Sequence, residues 1–403
     1  MKKEHLHGLD LMRYLLGVYI VLYHTFHYSS LPDIVNKFTG VGFISTSTFF
    51  ILSGFILSYV YYHYNESNNS YYLKEKRHSF LLKRLANLYP IHIFSLLLTL
   101  IVVTVLGSLE ITPEDKLASL RYVMYDSNNY TPIEKLHHWM SDKELITAFI
   151  MNIFLVHSWN PFYLSFNAPS WSISTLFFMY LIFPFIAPKI LKNKHPGKSL
   201  ILINLVYIAI PCLFIIMKWF DMPFTGIINR NPLVRMFEFI AGIMLCNFYL
   251  TYKDYIRSKS KVLFLTGIPF ILVSCYLAGI LLTNPDAIMK GGNGAYYLLH
   301  TGLMLLPECF IVILFCNVKI EKPKIVSVVK RLGGASLPMF ALHIPLYLML
   351  SRAEIFFFEE KHLWVYPFYL LVITYVCVVF QEKLVVPVRK KILKVANVTK
   401  KEV

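Results

Sequence analysis

The chain has 403 residues, 56% of them hydrophobic and only 15% charged, with 39 Lys and Arg against 23 Asp and Glu. A soluble domain carries about 25% charged residues, so this composition excludes an ordinary soluble globular protein. The basic residues sit between apolar runs rather than in one patch, which argues against nucleic acid as a partner and for charges that orient helices in a lipid bilayer.

A helix needs about 20 mostly apolar residues to cross the hydrocarbon core. Ten runs approach that length: Leu9–Tyr28, Gly42–Tyr62, Leu88–Leu106, Ser172–Pro188, Leu200–Met217, Pro232–Leu250, Val262–Leu282, Tyr297–Phe315, Ala335–Leu350 and Leu363–Phe380. An eleventh, Leu145–Val156, is too short to span and suits a re-entrant or interfacial helix. The expected fold is all-α, a polytopic membrane protein of about ten transmembrane helices. Lys2 and Lys3 before the first run imitate a signal peptide, but no small-residue cleavage site follows and Arg13 interrupts the run, so it reads as a retained span.

With the N-terminus placed in the cytoplasm, 26 of the 39 Lys and Arg fall in cytoplasmic segments and nine in outer ones. That asymmetry predicts that both termini are cytoplasmic. Residues 1–386 then form one membrane domain and 387–403 a basic cytoplasmic tail. The one long outer segment, Gly107–Trp171, carries His137, His138, Trp139 and His157 and the sequon Asn129-Tyr130-Thr131. A loop on a rigid scaffold is a natural binding element, and an empty solvated lid is the bland alternative. The six cysteines all fall inside apolar runs without Cys-x-x-Cys spacing, so they read as small buried hydrophobes, and no metal site is expected.

Ionisable residues inside a span cost several kcal/mol and mark function by default. Arg13 and His24 are eleven residues apart, so they share one helix face at a separation of about 16 Å. Arg13 suits an anion arriving from the cytoplasm, and His24 suits a base deeper in the bundle. Snorkelling of Arg13 and interhelical packing of His24 are the structural alternatives, and packing is favoured for His27. Arg235 and Glu238, three residues apart, read as a structural ion pair. Glu308 needs a partner on another helix or a wet cavity, and His343 lies mid-span.

These residues stand in phrases that resemble the acyltransferase-3 family of membrane acyltransferases. Arg13 with His24 after ten intervening residues is similar to the family's Arg-x10-His signature. Phe49–Phe55, Phe80–Leu85 with Tyr89-Pro90, Pro169–Ser174 with Tyr180 and Pro184, Pro232 with Arg235, Glu238 and Gly242, and Gly333–Ser336 with His343 and Pro345 resemble further family motifs in family order. Two positions depart from the pattern. Asn87 stands where the family commonly has Arg, and Leu176 where it commonly has Glu.

The resemblance implies transfer of an acyl group, expected to be acetyl, from cytoplasmic acyl-CoA to a hydroxyl of an envelope carbohydrate. The co-substrate is acetyl-CoA, with no bound cofactor. Arg13, Lys83 and Arg84 are the expected donor-binding residues and His24 the catalytic base, while Trp171, Ser172, Tyr180, Glu308 and His343 are candidates for the acceptor or oxyanion site. The expected location is a bacterial inner membrane. Transfer to an amino group, or of a succinyl group, is an alternative on the same fold. Export of a lipid-linked sugar would be signalled by paired repeats and broken helices, and the sequence shows neither.

Overall fold

The computed structural model describes residues 4–26, 32–65, 67, 70–112, 115, 118–127, 131–284, 286, 288, 292 and 294–396. His27, Asn129 and Tyr130 of the sequon, and residues 397–403 of the expected tail, lie outside these. Among the described residues seventeen α-helices run α1 His7–Phe26, α2 Asp33–Thr39, α3 Phe43–Tyr61, α4 Arg77–Leu109, α5 Ile133–Leu136, α6 Asp142–Ile153, α7 Trp171–Leu191, α8 Pro196–Ile216, α9 Phe224–Arg230, α10 Pro232–Ser258, α11 Ser260–Thr283, α12 Gly294–Leu298, α13 Leu305–Cys316, α14 Pro323–Gly334, α15 Ser336–Phe358, α16 Tyr366–Phe380 and α17 Val386–Val395. Two small antiparallel pairs, β1 Tyr62–Asn65 with β2 Ser70–Leu73 and β3 Tyr122–Met124 with β4 His137–Trp139, decorate opposite ends.

Eight helical segments among the described residues are long and apolar enough to cross a membrane, and the bent pair α12–α13 makes a ninth. The tenth expected run is α1, which is 20 residues long. It falls short in apolarity because it carries His7, Asp10, Arg13 and His24. The expected span least suited to lipid is therefore the one that carries Arg13 and His24.

Most of α3 is buried, so it forms the axis of the bundle. It crosses α10 at backbone distance. A Cβ on Gly54 would meet the Phe239 carbonyl at 2.1 Å, and one on Gly242 would meet that of Ile51 at 1.9 Å. Only glycine permits that approach. Outward faces of α11 and α16 expose Leu265, Leu272, Leu371 and Tyr375, as lipid contact requires. Cys246, Cys309, Cys316 and Cys377 are buried, and all six cysteines are free thiols.

The start of α1, the start of α4 and the 253–261 and 319–331 segments meet at one end, where Tyr59 bonds the Glu4 carbonyl and Arg257 pairs with Glu4. We call this the basic end. The described residues of the 110–170 segment cover the opposite end. Asp115 pairs with Arg352 at 2.9 Å and Asp126 with the buried Arg230, which fastens the segment to α15 and α9. Ser141 and Glu144 cap α6 reciprocally, and the Ser141 backbone N–H holds the Glu144 carboxyl below its ordinary range. The short run expected to be interfacial is α6, with Ile146, Phe149 and Ile150 exposed on one face.

One feature escaped the hydropathy pattern. The span 294–316 is broken, with non-helical backbone at Thr301 and at Gly302, whose φ is +98°. A break inside an apolar run leaves hydropathy unchanged, so it is invisible in the hydropathy pattern. The freed carbonyls must be satisfied within the protein. His300 O accepts from Arg235 Nη1 at 2.6 Å, and Gly302 O accepts from Asn204 Nδ2 at 2.6 Å.

Candidate functional site

Helices α1, α3, α7 and α15 line two cavities, one towards each end of the bundle. The cavity at the basic end has a volume of about 280 Å³. Arg13 enters from α1, Arg84 from α4 and Arg389 from α17, with Asn87, Ser53 and Tyr180 beside them. Among the described residues no carboxylate lines it. The nearest acid to Arg13 is Asp10, at 3.9 Å. Arg84 donates to the Tyr61 hydroxyl and lies 4.7 Å from the centre of that ring. Among the described residues the Nε atoms of Arg84 and Arg389 are buried without a hydrogen-bond partner. Three guanidinium groups converging with spare donors make a receptor for a multiply charged anion such as a phosphate chain.

Lys83 was expected here and is elsewhere. It pairs with Glu75, outside the cavity. Arg389 was not expected here, because residues 387–403 read as a tail. Its residues up to Val395 belong to α17, which packs along α4. Its guanidinium lines the same cavity as Asn87, the position where the family pattern puts arginine.

The second cavity, about 310 Å³, opens towards the opposite end. His24, Trp171, Tyr296 and His300 line it, and Leu164, Ala168 and Pro169 of the long segment form one wall. The rings of His24 and His343 lie 4.9 Å apart at 34°. His343 is fully buried and donates from Nδ1 to the Met339 carbonyl at 2.8 Å. That bond fixes its tautomer and leaves Nε2 as a bare acceptor, buried without a partner. A partly exposed histidine beside a buried neutral one can receive a proton and be held in one orientation.

Behind Trp171 stands the Arg235 cluster. Arg235 lies 5.8 Å from the Trp171 and Phe50 ring centres, donates to Ser47 Oγ at 2.7 Å and pairs with Glu238 at 3.1 Å. Tyr207 donates to Glu238 at 3.1 Å, and Glu308 faces both members of the pair. Arg235 therefore links the wall of the second cavity to the broken span.

Of the remaining sequence candidates, Trp171 reaches the second cavity and Tyr180 the first. Nine residues separate them on α7, about 13 Å along the axis. Ser172 is buried, bonding the Pro169 carbonyl, and Glu308 lines neither cavity. His300 and Tyr296 were missed. His300 was legible as an ionisable residue inside an apolar run.

A family model described as an acyltransferase domain matches residues 6–382. The chain belongs to the acyltransferase-3 family. No curated protein and no solved structure matches it. The match makes the chain a membrane acyltransferase. Such an enzyme must hold an activated acyl donor and present an acceptor to it. Arg389 lies beyond the matched residues, so its guanidinium belongs to the part of the chain the family pattern does not describe.

Proposed function

We propose that the enzyme moves an acyl group, acetyl in the simplest case, from acyl-CoA at the basic end to a hydroxyl of an envelope carbohydrate at the opposite end. One observation carries this reading: α1 supplies Arg13 to an anion-receptive cavity free of carboxylates and His24 to a second cavity roofed by the long segment. The Lys/Arg excess of the basic end supports a cytoplasmic location for it.

In this reaction the donor phosphates rest on Arg13, Arg84 and Arg389. The thioester arm passes between the cavities, where Phe49 and Phe340 lie with ring centres 4.8 Å apart and residues 338–343 of α15 are buried. A sugar hydroxyl is a weak nucleophile, so His24 takes its proton as the oxygen attacks the thioester carbonyl. The C–S bond breaks and the thiolate leaves with the proton. His343 holds the His24 ring, and Trp171 and His300 shape the acceptor side. The bacterial inner membrane is the setting that suits this acceptor.

The broken span at Gly302 favours a second reading, export of a lipid-linked sugar, because interrupted helices serve transporters. Its freed carbonyls are held by Arg235 and Asn204, which suits a fixed wall better than a moving gate.

Inside-out vesicles with labelled acetyl-CoA outside and the native glycan within test both. Label in the glycan that disappears with His24→Ala supports acyl transfer. Equal label in both makes His24 structural. Sugar movement without label supports export.

A further inference from the structure

His5, His7 and Asp10 lie at the basic end, where the chain enters α1. Their ligand atoms all fall within 4.8 Å of one another. Asp10 Oδ2 is 2.7 Å from His5 Nε2 and 3.7 Å from His7 Nδ1. None of the three lines either cavity described above. Among the described residues His7 Nδ1 is buried without a hydrogen-bond partner, although buried polar atoms almost always have one.

We propose that these three residues form a divalent transition-metal site, with zinc as the best fit. Two imidazole nitrogens and one carboxylate oxygen are a ligand set that zinc favours, and bond lengths of about 2.0–2.2 Å set tetrahedral ligand atoms about 3.3–3.6 Å apart. The His7 to Asp10 separation, 3.7 Å, needs to close by only about 0.1–0.4 Å to reach that spacing. The His5 to Asp10 contact must open by less than about 1 Å as the ion replaces the shared proton. His5 is the exposed member and free to make the adjustment. The neighbouring cavity, about 270 Å³ and lined by Glu4, His5, His7 and Arg257, leaves room for water as fourth ligand. Glu4 pairs with Arg257 at 2.8 Å, which moderates the cationic field there.

The ion staples the segment before α1 to the helix that carries Arg13 and His24. Asp10 Oδ1 remains 3.9 Å from Arg13, so the same carboxylate joins the metal to the wall of the basic cavity.

The test uses the full chain in detergent, purified without a histidine tag and stripped with EDTA. Zinc is titrated against a chromophoric chelator, and cobalt is added in its place to read tetrahedral geometry from visible absorption. One equivalent is expected in the unmodified protein, together with a rise of the thermal midpoint on zinc addition. His5→Ala and His7→Ala each weaken binding at least about tenfold, since even outer-shell partners of a metal contribute 10–100-fold. His5 is exposed, so His5→Ala keeps the midpoint of the stripped protein. Equal binding in all three proteins, or none in the unmodified one, overturns the proposal.

Discussion

The two cavities share four helices and are built in opposite ways. The basic cavity collects charge from positions far apart in sequence, Arg13, Arg84 and Arg389, and adds few contacts that would fix a direction. The second collects rings. His24 is set against His343, and His300 lies 3.8 Å centre to centre from Tyr296 and 4.1 Å from Phe43. Convergent charge gives affinity for a polyanion wherever its phosphates lie, whereas stacked rings fix geometry at one atom. Substitutions in the first should act through donor KM, and those in the second through kcat.

The largest effect should separate them most cleanly. His24→Ala is expected to lower kcat about 10²–10⁴-fold with donor KM unchanged, measured as initial rates in vesicles. A matching rise in donor KM would dissolve the distinction. Next, Arg235→Met removes one partner of a buried pair and leaves Glu238 and Glu308 facing each other. It should destabilise by about 3–5 kcal/mol, seen as a fall in the detergent thermal midpoint, and so damage both cavities at once. Smaller again is Arg389→Ala. Losing one charged hydrogen-bond donor costs about 1.5–3 kcal/mol, so donor KM should rise roughly 10–100-fold while kcat holds. Lys83→Ala should leave KM within about twofold, because Lys83 spends its charge on Glu75. An Arg389→Ala enzyme with normal KM would mean that Arg13 and Arg84 hold the donor alone.

This contrast also explains what the sequence could reveal. Arg13 and His24 were legible because they interrupt an apolar run on one helix face, and helix periodicity places both. His343 was visible as an ionisable residue in a span, but its neighbour was not, since the 4.9 Å ring contact joins residues 319 positions apart. Arg389 was hidden by its basic surroundings. A cluster of lysines after the last span reads as a solvated tail, and only packing along α4 turns one member inward. Lys83 lies outside the cavity for the converse reason: its neighbour Arg84 faces the cavity, while Glu75, eight residues back, captures Lys83. Hydropathy found the spans because it averages over many residues. It missed the break at Thr301 and Gly302 because two backbone angles leave no trace in that average.

The smallest effect sharpens the comparison through pH. His157 lies in the long segment before α7, stacked on His92 with ring centres 5.3 Å apart and within 3.1 Å of Ser170 Oγ, one residue from Trp171. Burial pushes its pKa down to about 3, with the neighbouring His92 adding to the shift. An unfolded segment carries this histidine near 6.5. A depressed histidine contributes its stability in full above the unfolded value and loses it as pH falls towards the folded one. The wall of the second cavity should therefore loosen below about pH 6.5, at up to about 1.4 kcal/mol per unit, while the arginines of the basic cavity keep their charge. Hydrogen exchange reads this directly. After correction for intrinsic rates, protection in 154–170 should fall by up to about tenfold between pH 6 and pH 5 and stay level in α17. His157→Phe keeps a ring against His92 without a titrating group, so it should flatten the pH dependence. A slope unchanged by that substitution would take the acid sensitivity away from His157.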